Sequence, residues 1–248
     1  MALTGGTASA TASARTTQAE RLFVRLKTSL LGHELLRLDR WPPPAEGRFC
    51  ALLAPAAWAL LPAAVRRRFE AALPDGGMRT YRGEVTETVL SSAGRVIANL
   101  ARLAGGPLPL HDGATGPAMV IVTENRALGG QVWTRLYASD GRFPQVIHSV
   151  KRFSGPTGIE EYLGPWRGCG FVMTLELSAR DRALVFESCG YALVIGGWRL
   201  SLPRWLTPGR CRITHRDRGG GRFTFTLELT HPWLGLLCRQ DAIFSDVC

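Results

Sequence analysis

Strict alternation of side-chain character begins at Gly129, and this feature limits the fold of the chain more than any other. It is clearest in the stretch GGQVWTRLYASDGRFPQVIHSVKRF. One side of that stretch carries Val132, Thr134 and Leu136, and the other carries Trp133, Arg135 and Tyr137. A period of two places successive side chains on opposite faces of a β-strand. A turn at 139–141 returns the chain into 145–151, so we predict a hairpin with one polar and aromatic face.

Further alternating segments follow at intervals of about 8 to 12 residues, with turn signals between them. The cleanest is FTFTLEL, in which Phe223, Phe225, Leu227 and Leu229 share one face. An earlier segment, MRTYRGEVTETVL, also alternates like a strand. After it, we predict strands over 118–125, 130–138, 144–153, 170–178, 182–190, 193–201, 210–217, 222–230 and 234–240. This spacing favours an antiparallel sheet that is strongly curved or forms an incomplete β-barrel.

The first part of the chain reads as helices interrupted by proline and glycine. Glu20–Leu38 has a leucine face flanked by arginine and lysine, which predicts a basic amphipathic helix that docks on the protein core or on an anionic membrane surface. A second helical region ends at Pro74, and its apolar stripe consists of Val65, Phe69 and Leu73. A third helix is predicted over 94–103, with Val96, Ile97, Leu100 and Leu103 facing inward.

Composition divides the chain into three parts. Residues 1–17 are rich in Ala, Thr, Ser and Gly without periodicity, and we predict a disordered tail. Residues 18–45 hold the amphipathic helix and a proline-rich linker. Residues 46–248 are predicted to form a single α+β domain, in which N-terminal helices pack on the curved sheet and strands dominate after residue 117.

The formal net charge of +10 arises almost wholly from arginine, because Lys27 and Lys151 are the only lysines. No recognition motif accompanies this charge, and the arginines are spread along the chain, so we expect no specific nucleic-acid binding. The six cysteines form no C-x-x-C pair and the five histidines no i, i+4 pair, which disfavours a metal site. No secretory signal and no apolar run of about 20 residues occurs, which favours a cytoplasmic location.

The polar and aromatic face of the hairpin is the main candidate for a binding site. Its candidate residues are Trp133, Arg135 and Tyr137, joined by Ser149 and Lys151 from the returning strand. Two cations flanked by aromatic rings suit an anionic head group and an apolar body. The alternative is a structural ladder in which Arg135 pairs with Glu160 or Glu161.

Two further candidates come from outside the hairpin. Glu160 and its neighbour Glu161 point to opposite faces of a strand, so they cannot act as an acid and base pair. One of them could serve as a general base or as a salt-bridge partner. His231 precedes Pro232 at the end of FTFTLEL and could act as an acid or base near neutral pH. The alternative is a structural histidine bonded to backbone. No catalytic residue is assigned.

Several motifs together resemble a known family. They are RRFEAAL, YRGEV, LAGGPLP, GGQVWTR, SVKRF, IEEY, SLPRWLTPG and THPWLGLLCRQ. In order and spacing, over roughly Phe49–Phe244, they resemble the bacterial domain-of-unknown-function family numbered 4166. The resemblance implies a domain that some members carry behind a nucleotide-binding domain similar to saccharopine dehydrogenase, or beside a membrane domain. This chain has no G-x-G-x-x-G after a strand, so we expect no bound nicotinamide cofactor, and a redox role would need a separate reductase partner.

These observations favour an accessory module that binds a small amphipathic or anionic ligand in a sheet-lined cavity. One alternative is a cofactor-independent enzyme of the isomerase, cyclase or hydrolase type that uses His231 or a carboxylate in the same cavity. Another is an interaction module for a reductase or a membrane partner.

Overall fold

The computed structural model describes residues 49–70, 72–102, 105–125, 130–138, 144–154, 158–166, 169–195 and 198–246. The predicted tail at 1–17 and the helix and linker at 18–45 lie outside these residues. The predicted turn at 139–141 also lies outside them.

Strands make up most of the described chain. They are β1 Met78–Leu90, β2 Gly116–Asn125, β3 Gly130–Tyr137, β4 Gln145–Phe153, β5 Ile159–Trp166, β6 Cys169–Arg180, β7 Ala183–Ile195, β8 Trp198–Ser201, β9 Arg210–Gly219, β10 Arg222–His231 and β11 Gly235–Asp246. The helices are α1 Pro55–Ala59, α2 Ala63–Glu70 and α3 Ser92–Ala101, with short 3-10 turns at Phe49–Leu52 and Arg204–Leu206. No helix among the described residues is long and apolar enough to cross a membrane.

Ten of the described strands form a closed antiparallel β-barrel. Each strand pairs with its neighbours in the chain, except that β8 branches outward from β7 and β9 pairs directly with β7. The barrel closes where β1 pairs with β11, through partners that run from Tyr81 opposite Asp246 to Leu90 opposite Cys238. The prediction of an incomplete barrel was therefore wrong. Alternation within one strand gives no information about whether the first and last strands meet.

The strand predictions hold with three corrections. No strand was predicted over 159–166, but β5 lies there and joins β4 to β6 in the barrel wall. Residues 182–190 and 193–201 were predicted as separate strands, but β7 continues through Ala183–Ile195 and only the short β8 follows it. Gly190 does not break β7, because it pairs with Thr174 of β6 and the ladder between these strands continues to Ile195. The barrel also begins before residue 117, since β1 and its partner β11 form part of the wall.

The helices α1 and α2 and the turn Phe49–Leu52 cover one end of the barrel. Val65 and Phe69 of α2 are buried as predicted, whereas Leu73, the third residue of the predicted stripe, follows the end of α2 and is half-buried. Beside them, Arg68 donates hydrogen bonds of 3.1 Å to both Asp217 and Asp246, at the ends of β9 and β11. The ring of Phe69 enters the barrel and lies 6.5 Å from that of Trp133. This end is therefore sealed, and we name it the closed end.

The helix α3 lies at the opposite end and packs through its smallest residues. Gly94 and Ala98 are buried, whereas Val96 and Leu100 are 61% and 62% exposed. The prediction that Val96 and Leu100 pack into the core was therefore wrong, although Leu100 borders the cavity. Ile97 packs against the core as predicted, and Leu103 lies outside the described residues. A Cβ on Gly94 would lie only 1.8 Å from the carbonyl oxygen of Leu237, so this close packing requires glycine.

The barrel wall is split near α3. Strand β7 pairs with β9 only over Ala183–Glu187, and farther along it pairs with β8 instead. Residues 202–209 lie beyond the point where β7 and β9 separate, tied to β7 by a hydrogen bond of 2.8 Å from Leu202 N to the Tyr191 carbonyl. We name this end, with α3, residues 202–209 and the β10–β11 connection, the open end.

Candidate functional site

A cavity of about 420 Å³ occupies the barrel between the two ends. Aromatic and aliphatic side chains make up most of its wall, including Trp133, Phe171, Met173, Phe186 and Phe225. The mouth lies at the open end, where it is lined by Leu100, Pro107, Leu108, Leu206 and Pro208. A volume in this range is typical of small-molecule sites.

Three charged side chains face this apolar space from three successive strands. Arg135 of β3 forms an ion pair of 3.1 Å with Glu161 of β5, and Lys151 of β4 reaches the other carboxylate oxygen at 2.5 Å. Ser149 of β4 accepts a hydrogen bond of 3.0 Å from Arg135. The side chains of Lys151 and Glu161 are each only 3% exposed. We name Arg135, Lys151 and Glu161 the charged triad.

The ring of Trp133 lies beside both cations of the charged triad. The Lys151 ammonium lies 5.1 Å from the centroid of its ring, and the Arg135 guanidinium carbon lies 5.8 Å from it. The indole N–H donates a hydrogen bond of 3.3 Å to Gln131, whose amide in turn donates to Glu124 at 3.1 Å. This chain of hydrogen bonds fixes the orientation of the ring, so both cations gain cation–π stabilisation.

The charged triad carries one more positive charge than negative when Lys151 is protonated. Burial raises the pKa of Glu161, but the Lys151 ammonium and the Arg135 guanidinium outweigh burial and lower the pKa to about 2. Burial also lowers the pKa of Lys151, and the Glu161 carboxylate offsets this only in part. Glu161 is therefore ionised at neutral pH, and one of the two cations has no counter-charge of its own within the triad.

Five of the seven predicted binding residues come together at this site. Trp133, Arg135, Tyr137 and Lys151 line the cavity, and Ser149 bonds to Arg135 beside it. The predicted salt bridge of Arg135 also exists, with Glu161 as its partner. Arg135 therefore lines the cavity and also forms the structural salt bridge that was the alternative to a binding role.

The other two predicted residues do not join the site. Glu160 lies on the outer face of β5, where its carboxylate pairs with Arg199 at 2.6 Å and accepts from the Tyr162 hydroxyl at 3.2 Å. His231 ends β10 outside the cavity wall, and its Nδ1 accepts a hydrogen bond of 3.3 Å from the Trp233 backbone N–H. This bond matches the structural alternative for His231.

Sequence reasoning missed part of the cavity wall. Phe186 and Tyr191 of β7 and Cys211 of β9 face the charged triad from the opposite side. Burial, followed by the Glu161 charge, raises the pKa of Cys211 to about 12, so its thiol stays protonated near neutral pH. No local signal marks these residues, because only the closure of the barrel brings β7 and β9 across from β3.

A metal site was disfavoured by the sequence, and the arrangement of potential metal ligands can be checked in the described residues. Among the described residues, no set of three histidine, cysteine, aspartate or glutamate side chains is arranged to hold a metal ion. The polar chemistry at the cavity is therefore that of the charged triad and its neighbours.

Comparison with known protein families identifies the family of this chain. The family model for the domain of unknown function DUF4166 matches residues 61–244. The chain belongs to the DUF4166 family. The matched region includes all the residues that line the cavity and the whole barrel except the last two residues of β11. No curated protein and no solved structure matches the chain.

Proposed function

We propose that this DUF4166 domain binds a small amphipathic molecule with a single anionic head group inside the barrel. The charged triad carries this proposal, because it places two cations and one carboxylate in the wall of an otherwise apolar cavity. An anionic head group would add the second counter-charge, and the aromatic and aliphatic wall would cover the apolar part of the ligand.

Arg135 is the residue best placed to bind the head group. Its side chain is 16% exposed, more than that of either partner in the charged triad. One terminal nitrogen of its guanidinium bonds to Ser149 and the other to Glu161. A guanidinium has five N–H donors, so these two bonds leave donors for a carboxylate or phosphate oxygen. Lys151 adds positive charge from the adjacent strand.

The same geometry favours binding over proton-transfer catalysis. A general base needs a pKa near the working pH, whereas that of Glu161 is lowered to about 2. His231 lies outside the cavity wall. Glu160 also lies outside the cavity wall, paired with Arg199. None of the three residues considered as an acid or base is therefore suited to that role in this cavity.

Native mass spectrometry of the full chain, purified without detergent, tests for a retained ligand. Calorimetric titration then compares dodecanoate with two matched probes of the same chain length, dodecanol and dodecyltrimethylammonium. We expect dodecanoate to bind at least tenfold more tightly than either probe, because a charge-assisted hydrogen bond contributes about 1.5 to 3 kcal/mol. Equal binding of dodecanol, or no saturable binding of dodecanoate, would contradict the proposal.

Variants locate the site. Arg135→Ala should weaken dodecanoate binding about tenfold or more, and Arg135→Lys should restore only part of it, because lysine lacks the guanidinium fork. Thr134→Val is the matched control. Thr134 is the neighbour of Arg135 on the outer face of β3, where its hydroxyl bonds to His148 at 2.9 Å. Equal loss of binding in the control and in Arg135→Ala would count against this location.

A further inference from the structure

Large apolar side chains face solvent at the open end of the barrel. They belong to α3, to the turn Arg204–Leu206 and to the β10–β11 connection, and each is more than half exposed. We name this set the rim; it comprises Val96, Leu100, Trp205, Leu206, Trp233 and Leu234. Large apolar groups clustered on a surface mark an interaction site more often than single ones do.

Contacts among these three segments make the rim one surface. Both α3 and the turn Arg204–Leu206 contribute side chains to the cavity mouth. The Ser91 N–H donates to the Leu237 carbonyl at 3.1 Å, which places the start of α3 beside the β10–β11 connection. A Cβ on Gly209 would lie 2.3 Å from the Thr230 carbonyl oxygen, so residues 202–209 lie against the end of β10. The rim therefore borders the mouth of the cavity.

The charged side chains within the rim segments are all positive, and the nearby carboxylate of Asp112 already accepts a hydrogen bond of 2.8 Å from the Leu90 N–H. Its three segments, 92–102, 202–209 and 231–236, contain no aspartate or glutamate. Their exposed arginines are Arg95, Arg102 and Arg204. At the closed end, by contrast, Arg68 is matched by the carboxylates of Asp217 and Asp246. The rim thus combines tryptophan and leucine with arginine alone, which is the composition that binds the interface of an anionic bilayer.

We propose that the rim docks on the surface of an anionic lipid bilayer, with the cavity mouth facing the membrane. Tryptophan prefers the bilayer interface, because its ring is apolar and its N–H is polar. Trp205 and Trp233 are 66% and 75% exposed and lie in separate rim segments, so they provide two such anchors. The three arginines would contact lipid phosphates around them.

A second copy of the chain fits the rim less well than a membrane does. Symmetric pairing would bring Arg95, Arg102 and Arg204 of two copies together, and these segments contain no carboxylate to offset the repulsion. An anionic bilayer presents phosphates to every one of these arginines. The charge of the rim therefore selects the membrane over self-association.

Co-sedimentation of the full chain with lipid vesicles tests the docking surface. One set of vesicles contains phosphatidylcholine alone, and the other contains phosphatidylcholine with phosphatidylglycerol. We expect binding to the anionic vesicles, weaker binding to the neutral ones, and a blue shift of tryptophan fluorescence on binding. The double variant Trp205→Ala, Trp233→Ala should reduce vesicle partitioning about tenfold or more. Replacing Arg95 or Arg204 by glutamine should reduce it roughly fivefold each.

Matched controls come from the closed end. Leu60 is 71% exposed and follows α1, and Arg67 is exposed on α2, so Leu60→Ala and Arg67→Gln change similar groups outside the rim. Both controls should bind vesicles like the unaltered chain. Circular dichroism of each variant checks that the barrel is intact. Equal binding of neutral and anionic vesicles by the unaltered chain, or unchanged binding by the tryptophan variant, would overturn the proposal. A dimer that this variant abolishes, without vesicle binding, would assign the rim to self-association instead.

Membrane docking goes beyond the proposed binding function, and the two fail separately. Trp205 and Trp233 do not line the cavity. The tryptophan variant should therefore keep its affinity for dodecanoate within about twofold, while its vesicle binding falls. Vesicle binding without dodecanoate binding would support the docking surface and reject the ligand site. Dodecanoate binding without vesicle binding would support the ligand site and reject the docking surface.

Discussion

His215 gives a quantitative test of the barrel interior, because its imidazole is buried in an aromatic cluster. The side chain is 1% exposed, and its ring centroid lies 5.0 Å from that of Phe69, 4.6 Å from Phe223 and 4.8 Å from Phe225. Neither ring nitrogen has a hydrogen-bond partner within the described part of the chain. Burial, reinforced by the Arg68 charge, lowers the pKa of His215 from 6.5 to about 3.

The sign of the resulting pH dependence follows from proton linkage. Between the unfolded pKa of 6.5 and the folded pKa of about 3, the unfolded chain binds a proton at this position that the folded chain does not. The free energy of unfolding therefore falls as the pH falls through this range, by about 1.4 kcal/mol per pH unit. At about pH 4 the accumulated loss is about 3 kcal/mol, a large part of the 5 to 15 kcal/mol typical of a folded domain.

The variant His215→Leu removes the titrating group with little change in volume. Its stability at neutral pH should stay within about 1.5 kcal/mol of that of the unaltered chain, and its loss of stability in acid should be smaller by about 3 kcal/mol at about pH 4. Urea unfolding at several pH values, followed by tryptophan fluorescence, measures both quantities. His148→Gln, on the outer face of β4, is the control and should keep the full acid dependence. If the free energy of unfolding fell equally with decreasing pH in His215→Leu and in the unaltered chain, the reasoning would be refuted.

Two further predictions concern charge and packing. Glu161→Gln should destabilise the barrel by about 3 kcal/mol, because it leaves two buried cations without their shared carboxylate. A double-mutant cycle with Arg135→Ala, measured by urea unfolding, should show coupling above about 1 kcal/mol, and additive effects would contradict the ion-pair geometry. Gly94→Ala should lower the free energy of unfolding by about 2 kcal/mol, because the new methyl group would overlap the Leu237 carbonyl oxygen. Gly190→Ala, where a Cβ has room, should change it by less than about 0.5 kcal/mol. Equal shifts of the melting temperature in the two variants would contradict this packing.

Side-chain alternation predicted which residues share a face of a strand. Trp133, Arg135 and Tyr137 do face the cavity together, and the apolar face of FTFTLEL does line the interior. This part of the fold was predictable because the period of two is a property of a single strand and needs no partner. The same rule correctly separated Glu160 from Glu161.

Pairing between strands was not predictable in the same way. Whether Glu160 or Glu161 faces Arg135 depends on the register of β5 against β4, where Lys151 lies opposite Glu161. The contribution of β7 is still harder to infer, because the register of its ladder with β6 shifts between Thr174 and Leu175. An irregularity of this kind changes which residues face inward without a clear mark in the sequence.

The helix α3 shows a different limit of sequence patterns. The largest apolar residues of a helix are usually expected to face the core, but here Gly94 and Ala98 do so, whereas Val96 and Leu100 stay more than half exposed. The reason is the short distance between α3 and β11, which admits only small side chains at the contact. A pattern based on hydrophobicity alone cannot separate a helix that buries leucine from one that presents leucine to a partner.

The separation of β7 from β9 bears on how fast a ligand can exchange. Because the ladder between these strands ends at Glu187, a molecule that passes Leu206 and Pro208 breaks no pairing between the strands of the barrel wall. Exchange of the proposed ligand would then require only a local displacement of residues 202–209, and loop motions occur in nanoseconds to microseconds. Unfolding of a closed barrel is far slower. The release rate should therefore respond to changes in this segment and be independent of the global stability of the protein.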